Sequence, residues 1–178
     1  GARAAALETG EVHYAPFSAV PPSDVDRLRK LSNLVVETRG YGTFVPAFFF
    51  EFNLDRPQFR DKHVRAAFAH AIDRQALADR VWFGLAKPAT GPIPSAHAEL
   101  YTADVTQYPF DLKKAEALLD EAGLPRDAEG VRLRVNHYTM PYGDLFKRAG
   151  EFLRESLKQV GIDLQLVNLD LAPFLRQI

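Results

Sequence analysis

Cysteine is absent from the 178 residues. Disulfides, thiolate catalysis and Cys-ligated zinc are therefore excluded, a composition shared by exported bacterial proteins and many cytoplasmic domains. Long hydrophobic runs are also missing. The longest, Val45 to Phe50, is far too short to span a bilayer. Neither sign of charge dominates, because 22 basic residues face 23 acidic ones for a formal net charge of -1. No basic stripe is present, which argues against nucleic acid as a partner. There is no initiator Met, no charged n-region and no signal-peptide core. The chain opens at Gly1-Ala2-Arg3 inside what reads as a helix, so an excised piece of a longer protein is expected.

What is present is ordinary globular composition, 47% hydrophobic and 25% charged, at a length that fits one domain with a substantial core. Ala2 to Thr9 reads as a helix tail stopped by Gly10. Glu11 to Ala15 reads as a short strand. Pro21-Pro22-Ser23-Asp24 turns into a helix capped by Ser23 or Asp24, and Leu34 to Thr38 reads as a strand broken by Gly40-Tyr41-Gly42. Val45 to Asn53, apolar almost throughout, reads as a strand covered on both faces, with Phe48 to Phe50 in the core.

The next elements have clear ends. Asp61 caps a helix with Val64, Ala67, Phe68, Ala71 and Ile72 at helical spacing, and Asp73 caps a second one. Pro88 to Pro94 is an extended loop. Asp111 starts a helix with an apolar stripe of Leu112, Ala115, Leu118, Leu119 and Ala122, which Gly123 and Pro125 end. Val131, Leu133 and Val135 alternate with polar residues, as a half-buried strand does. A long amphipathic helix runs from about Tyr142 to Val160, Gly161 stops it, and Ile162, Leu164 and Leu166 form another alternating strand. Ala172 to Ile178 begins a last helix. Strands alternating with helices predict an α/β fold, and the unit from Val131 to Val167 predicts a parallel pair.

Catalytic patterns are scarce. The five histidines, His13, His63, His70, His97 and His137, show no helical metal-site spacing. His63 and His70 lie about 10 Å apart in helical rise, too far to share one metal. His97-Ala98-Glu99 lacks the cysteines of a deaminase site. Ser95 has no nucleophile elbow around it, and Gly40-x-Gly42 leads into a strand. No P-loop occurs. Apolar and aromatic surface with a few placed polar groups suits a binding module, with neither cofactor nor metal implied.

Three stretches carry a resemblance. The first is Phe52-Asn53, then Pro57-x-Phe59-x-Asp61-x-x-Val64-Arg65-x-Ala67, running into Ala71-Ile72-Asp73-Arg74-x-Ala76-Leu77. The second is Pro88-Ala89-Thr90-Gly91-Pro92-Ile93-Pro94, followed by Tyr108 and Asp111-x-x-Lys114-Ala115-x-x-Leu118-Leu119-x-Glu121-Ala122-Gly123. The third is Ala149 through Leu157 with Val160-Gly161-Ile162-Asp163-Leu164. In this order they resemble the family 5 extracytoplasmic solute-binding proteins, the oligopeptide, dipeptide and nickel-binding group, over nearly the whole chain. Arg65 and Arg74 are read as scaffold residues binding carboxylates or carbonyls.

The resemblance implies an α/β chain with a mixed sheet flanked by helices, one lobe of a type II periplasmic-binding-protein fold. Residues 1–178 would form the second lobe of a two-lobed protein, with lobe I and a returning C-terminal segment lying outside this sequence. It further implies a non-catalytic protein in the periplasm or another extracytoplasmic position, with a lipoprotein anchor as one form of attachment. The implied partners are a peptide or other small solute, the membrane subunits of an ABC permease, and lobe I. In relatives the loop after the strand matching Arg132 to Tyr138 faces the cleft between lobes. Here that segment reads His137-Tyr138-Thr139-Met140-Pro141-Tyr142-Gly143-Asp144. Tyr138, Met140 and Tyr142 are thus the first ligand-binding candidates, with Tyr41 and Phe44 a second set. Dipeptide binders place an arginine in a similar loop for the peptide carboxylate, and none stands here. Two readings from other classes stay open, a small hydrolase or transferase using Ser95 with His97 and the sensory module of a regulator. Peptide, nickel complex, sugar and opine all remain as ligands.

Overall fold

The computed structural model describes residues 1–17, 20–39 and 47–177. Its elements in chain order are α1 (Ala2–Glu8), α2 (Pro22–Leu28), α3 (Pro57–Arg60), α4 (Lys62–Ala71), α5 (Arg74–Val81), α6 (Leu112–Glu121), β1 (Leu133–Thr139), α7 (Asp144–Lys158), β2 (Ile162–Asn168) and α8 (Leu171–Phe174). Two compact units are distinguished: Gly1–Ala47 with Ala78–Asp104, and Phe48–Leu77 with Val105–Ile178.

The second unit contains the sheet. β1 and β2 pair in parallel from Leu133 opposite Ile162 to Thr139 opposite Asn168, joined through α7. The α/β class and the parallel pair are as expected from sequence. Val135, Ile162 and Leu164 face a core that also takes Val64, Phe68, Leu119, Leu157 and Val160. Each such side chain contributes roughly 2 kcal/mol on leaving water. Phe50, Phe52, Phe59 and Phe68 form an aromatic cluster with centroids 5.2–5.8 Å apart.

Capping chemistry explains where the helices of this unit start. Asp61 Oδ1 accepts from His63 N at 2.8 Å, Asp73 Oδ1 from Ala76 N at 2.9 Å, and Asp111 Oδ1 from Lys114 N at 2.9 Å. Both arginines bind carbonyls, as one of the two sequence readings had it. Arg65 Nη1 donates to Phe59 O at 2.6 Å and Arg60 O at 2.9 Å. Arg74 Nη1 donates to Ala69 O at 3.0 Å, and its Nη2 to Tyr108 O. His70 adds a 2.7 Å contact from Nδ1 to Pro109 O. The segment leading into α6 is thereby tied to the C-terminal end of α4.

In the first unit α1 is anchored to α2. Arg27 Nη1 donates to Glu8 Oε1 at 2.5 Å. Gly10 adopts φ 74° just past α1, the left-handed stop expected of it.

Several sequence expectations need correction. Glu11 to Ala15 and Leu34 to Thr38 are not strands, nor are the described residues of Val45 to Asn53. A strand is defined by its ladder, and these segments find no partner among the described residues. Residues 47–53 are not covered on both faces. Phe50 and Phe52 pack on the core, whereas Phe48, Phe49 and Glu51 are exposed. The helix α2 starts at Pro22 with Pro21 as N-cap and no side-chain cap, because Pro at the first helical position needs no N–H partner. Asp24 sits instead in the first turn, where an acid complements the helix dipole.

Candidate functional site

The site is assembled from the second unit alone. Because β1 and β2 are parallel, their carboxyl ends lie at the same end of the sheet, Thr139 beside Asn168. Ligands of open α/β sheets bind at that end. Met140, Pro141, Tyr142 and Gly143 follow β1 and lead into α7, while Leu169 and Asp170 follow β2 and lead into α8. Gly143 takes φ 110°, a conformation that a side chain disfavours, and this lets the chain turn sharply into α7.

Tyr142 is 63% exposed and Met140 41%. Tyr138 is half-buried within β1 and stands opposite Val167. The Tyr142 ring meets Phe146 edge-on at 6.4 Å, and Phe146 meets Phe48 at 5.5 Å. Phe48, 49% exposed, thus joins the loop by way of Phe146, and Phe49 beside it is exposed as well. The apolar run around Phe48 reads as core in sequence. The exposure of Phe48 and Phe49 corrects that reading, because one side of the segment is left uncovered.

Beneath the loop α7 approaches the strands closely. A Cβ on Gly150 would lie 3.3 Å from Thr139 Oγ1 and Leu166 Cδ2, and 3.6 Å from His137 Cδ2. Glycine at this point lets the helix settle onto β1 and β2 and so fixes where its N-terminus meets the loop. The Thr139 hydroxyl is buried and has no hydrogen-bond partner among the described residues. His137 stacks on Phe50 at 5.3 Å and 18°. Burial holds its imidazole below the ordinary histidine range, so the ring is neutral at pH 7 and acts as packing.

The remaining candidates are placed elsewhere. Tyr41 and Phe44 lie outside the described residues. Ser95 is exposed, and the hydrogen bonds at His97 are backbone ones to Pro94, Leu100 and Tyr101. The side-chain contact that a hydrolase would require is not formed there. Among the described residues no cluster of three metal-ligating side chains occurs, and no helix is long and apolar enough to cross a membrane.

The model of the bacterial extracellular solute-binding proteins, family 5 Middle, matches residues 1–177. The chain belongs to this family. Family 5 proteins are extracytoplasmic solute-binding proteins, not enzymes. Among curated relatives, the glutathione-binding protein GsiB of Shigella flexneri serotype 5b is 31% identical over 169 residues, covering 94% of this chain and 31% of the relative. Among solved structures, the periplasmic binding protein DppA of Helicobacter pylori, in complex with the peptide STSA, superposes with a TM-score of 0.76 at 25% identity, over 99% of this chain and 32% of that one. NikZ of Campylobacter jejuni, in complex with Ni(L-His), gives a TM-score of 0.62 at 25% identity, over 67% of this chain and 25% of that one. The family 5 chain thus spans about a third of the length of the curated relatives it matches.

Proposed function

We propose that this family 5 chain is the second lobe of a two-lobed solute-binding protein that captures peptides outside the cytoplasm and hands them to an ABC permease. The observation that carries this reading is the exposed set of Tyr142, Met140 and Phe48 at the carboxyl end of β1. A monomer seldom leaves large apolar side chains together in water without a use for them. Rigid aromatic rings give a ligand contact area at little entropic cost, and Met140 adapts to ligands of differing shape. A peptide is favoured because glutathione is a peptide and DppA is described with a bound one. On this reading the ligand is held for transfer to the permease and is not transformed. Closure of lobe I over the ring set would bury the ligand, a population shift driven by contacts on both sides.

Two measurements on the full-length protein test the proposal. Mass spectrometry of material co-purifying with it identifies the solute, a peptide by this reading. Calorimetric titration with that solute then compares Tyr142→Ala with the parent. Loss of one aromatic contact should weaken binding roughly tenfold. A co-purifying sugar, or an unchanged affinity on removing Tyr142, overturns the peptide reading or the location of the site respectively.

A further inference from the structure

Thr139 ends β1 directly before Met140 to Gly143, and it is 3% exposed. Its hydroxyl has no hydrogen-bond partner among the described residues. A buried hydroxyl left unpaired destabilises a fold, and folded chains seldom keep one. Valine has nearly the same shape and would fill the place without that cost.

The hydroxyl faces α7. A Cβ on Gly150 would stand 3.3 Å from Thr139 Oγ1, so bare helix backbone passes close over it. Phe146 lies four residues earlier, one turn away on the same side of α7. Its ring meets Tyr142 at 6.4 Å and Phe48 at 5.5 Å. Carbonyls of α7 can take a second bond besides the helical one, as Phe152 O does from Ser156 Oγ at 2.9 Å. A small slide of α7 over the Gly150 surface would therefore move the Phe146 ring and bring a backbone carbonyl to the hydroxyl.

We infer that Thr139 is a positioning residue for the ligand: a solute seated on Tyr142, Phe146 and Phe48 draws α7 to where the Thr139 hydroxyl donates to a carbonyl of the Phe146–Gly150 turn. The inference rests on the solute-binding reading above. Thr139 does not touch the solute. Its bond belongs to the bound arrangement alone, so it adds to affinity and nothing to the stability of the free protein. Gly150 leaves the room in which α7 moves.

The test uses the full-length protein and its co-purified solute, with calorimetric titration and the melting temperature of the free protein as readouts. Thr139→Val should weaken binding roughly tenfold, the loss of one hydrogen bond, while the melting temperature holds or rises. Thr139→Ser, which keeps the hydroxyl, should retain the parent's affinity. Gly150→Ala, whose methyl obstructs the slide, should weaken binding too, and combining it with Thr139→Val should lose less than the two separate losses together. Unchanged affinity in Thr139→Val overturns the inference. So does a melting temperature that valine lowers and serine restores, because the hydroxyl is then already bonded in the free protein. Tyr142→Ala, titrated alongside, separates this from the reading beneath it. Weaker binding there with Thr139→Val unaffected overturns the inference alone. Unchanged binding in both overturns the location of the site and this inference with it.

Discussion

His137 brings a titratable ring into a place built for carbon, between the Phe50 face and the close approach of Gly150. Burial disfavours its charged form, so its folded-state pKa lies below the ordinary histidine value that the unfolded chain retains. Above that ordinary value both states are neutral and the ring costs nothing. As pH falls through it, the unfolded state takes up the proton first, and stability drops until the folded state is protonated as well. The unfolding free energy of the protein should therefore fall between about pH 7.5 and about pH 5.5, the interval that brackets histidine titration. His137→Phe, which keeps the stack on Phe50, should flatten that fall. Urea unfolding at the two pH values measures it, and a variant with the parent's pH slope would show that His137 is not the responsible group. The alternating pattern of β1 puts this histidine on the inward face but does not show how closely that face is packed. Its neighbours Leu133 and Val135 share its face, but the glycine that brings α7 close stands 13 residues further on.

Element ends were the most legible feature, because a cap or a stop is a local event between neighbours in sequence. Asp61, Asp73 and Asp111 start their helices, and Gly10, Gly123 and Gly161 end theirs in the left-handed region. Strands were legible only where both partners lie in one short unit, as in β1 and β2. For residues 11–15, 34–38 and 47–53 the pattern reported an extended chain with some burial, which requires no ladder. Among the stops, Gly161 bears the most. Its carbonyl accepts from Arg132 N at 2.7 Å at the foot of the sheet. A Cβ there would lie 2.8 Å from Arg126 Nη1 and 2.9 Å from the Gly130 carbonyl. Gly161→Ala should therefore cost the left-handed penalty plus displacement of a neighbouring backbone, about 2 kcal/mol or more. Gly123→Ala, at φ 70° with nothing within 4 Å of the added Cβ, should cost about 1 kcal/mol from conformation alone. Chemical denaturation of the two variants separates the terms. Equal losses would show that the contacts around Gly161 relax freely.

For the whole molecule, the candidate site was half legible. Tyr138, Met140 and Tyr142 follow from a loop position implied by the family resemblance, whereas Phe48 enters through a packing contact with Phe146 across a hundred residues of sequence, which local patterning does not encode. A site so placed has one floor. Its rings are exposed in the second unit, and the reading of the chain as one lobe requires the other wall to come from the remaining two-thirds of a protein as long as its relatives. A ligand resting on one wall keeps part of its surface in water and gains contacts from that side only, while the entropy lost on association is nearly the same. Every 1.4 kcal/mol of lost contact is a factor of ten. Residues 1–178 alone should therefore bind the solute of the full-length protein at least about a hundredfold more weakly. Tyr142→Ala should weaken that residual binding further, because the ring is its main contact. Parallel calorimetric titrations of the two proteins with the co-purified solute measure the difference. Sub-micromolar affinity in residues 1–178 alone, close to that of the full-length protein, would mean that the site is complete within this chain and that the one-lobe reading is wrong.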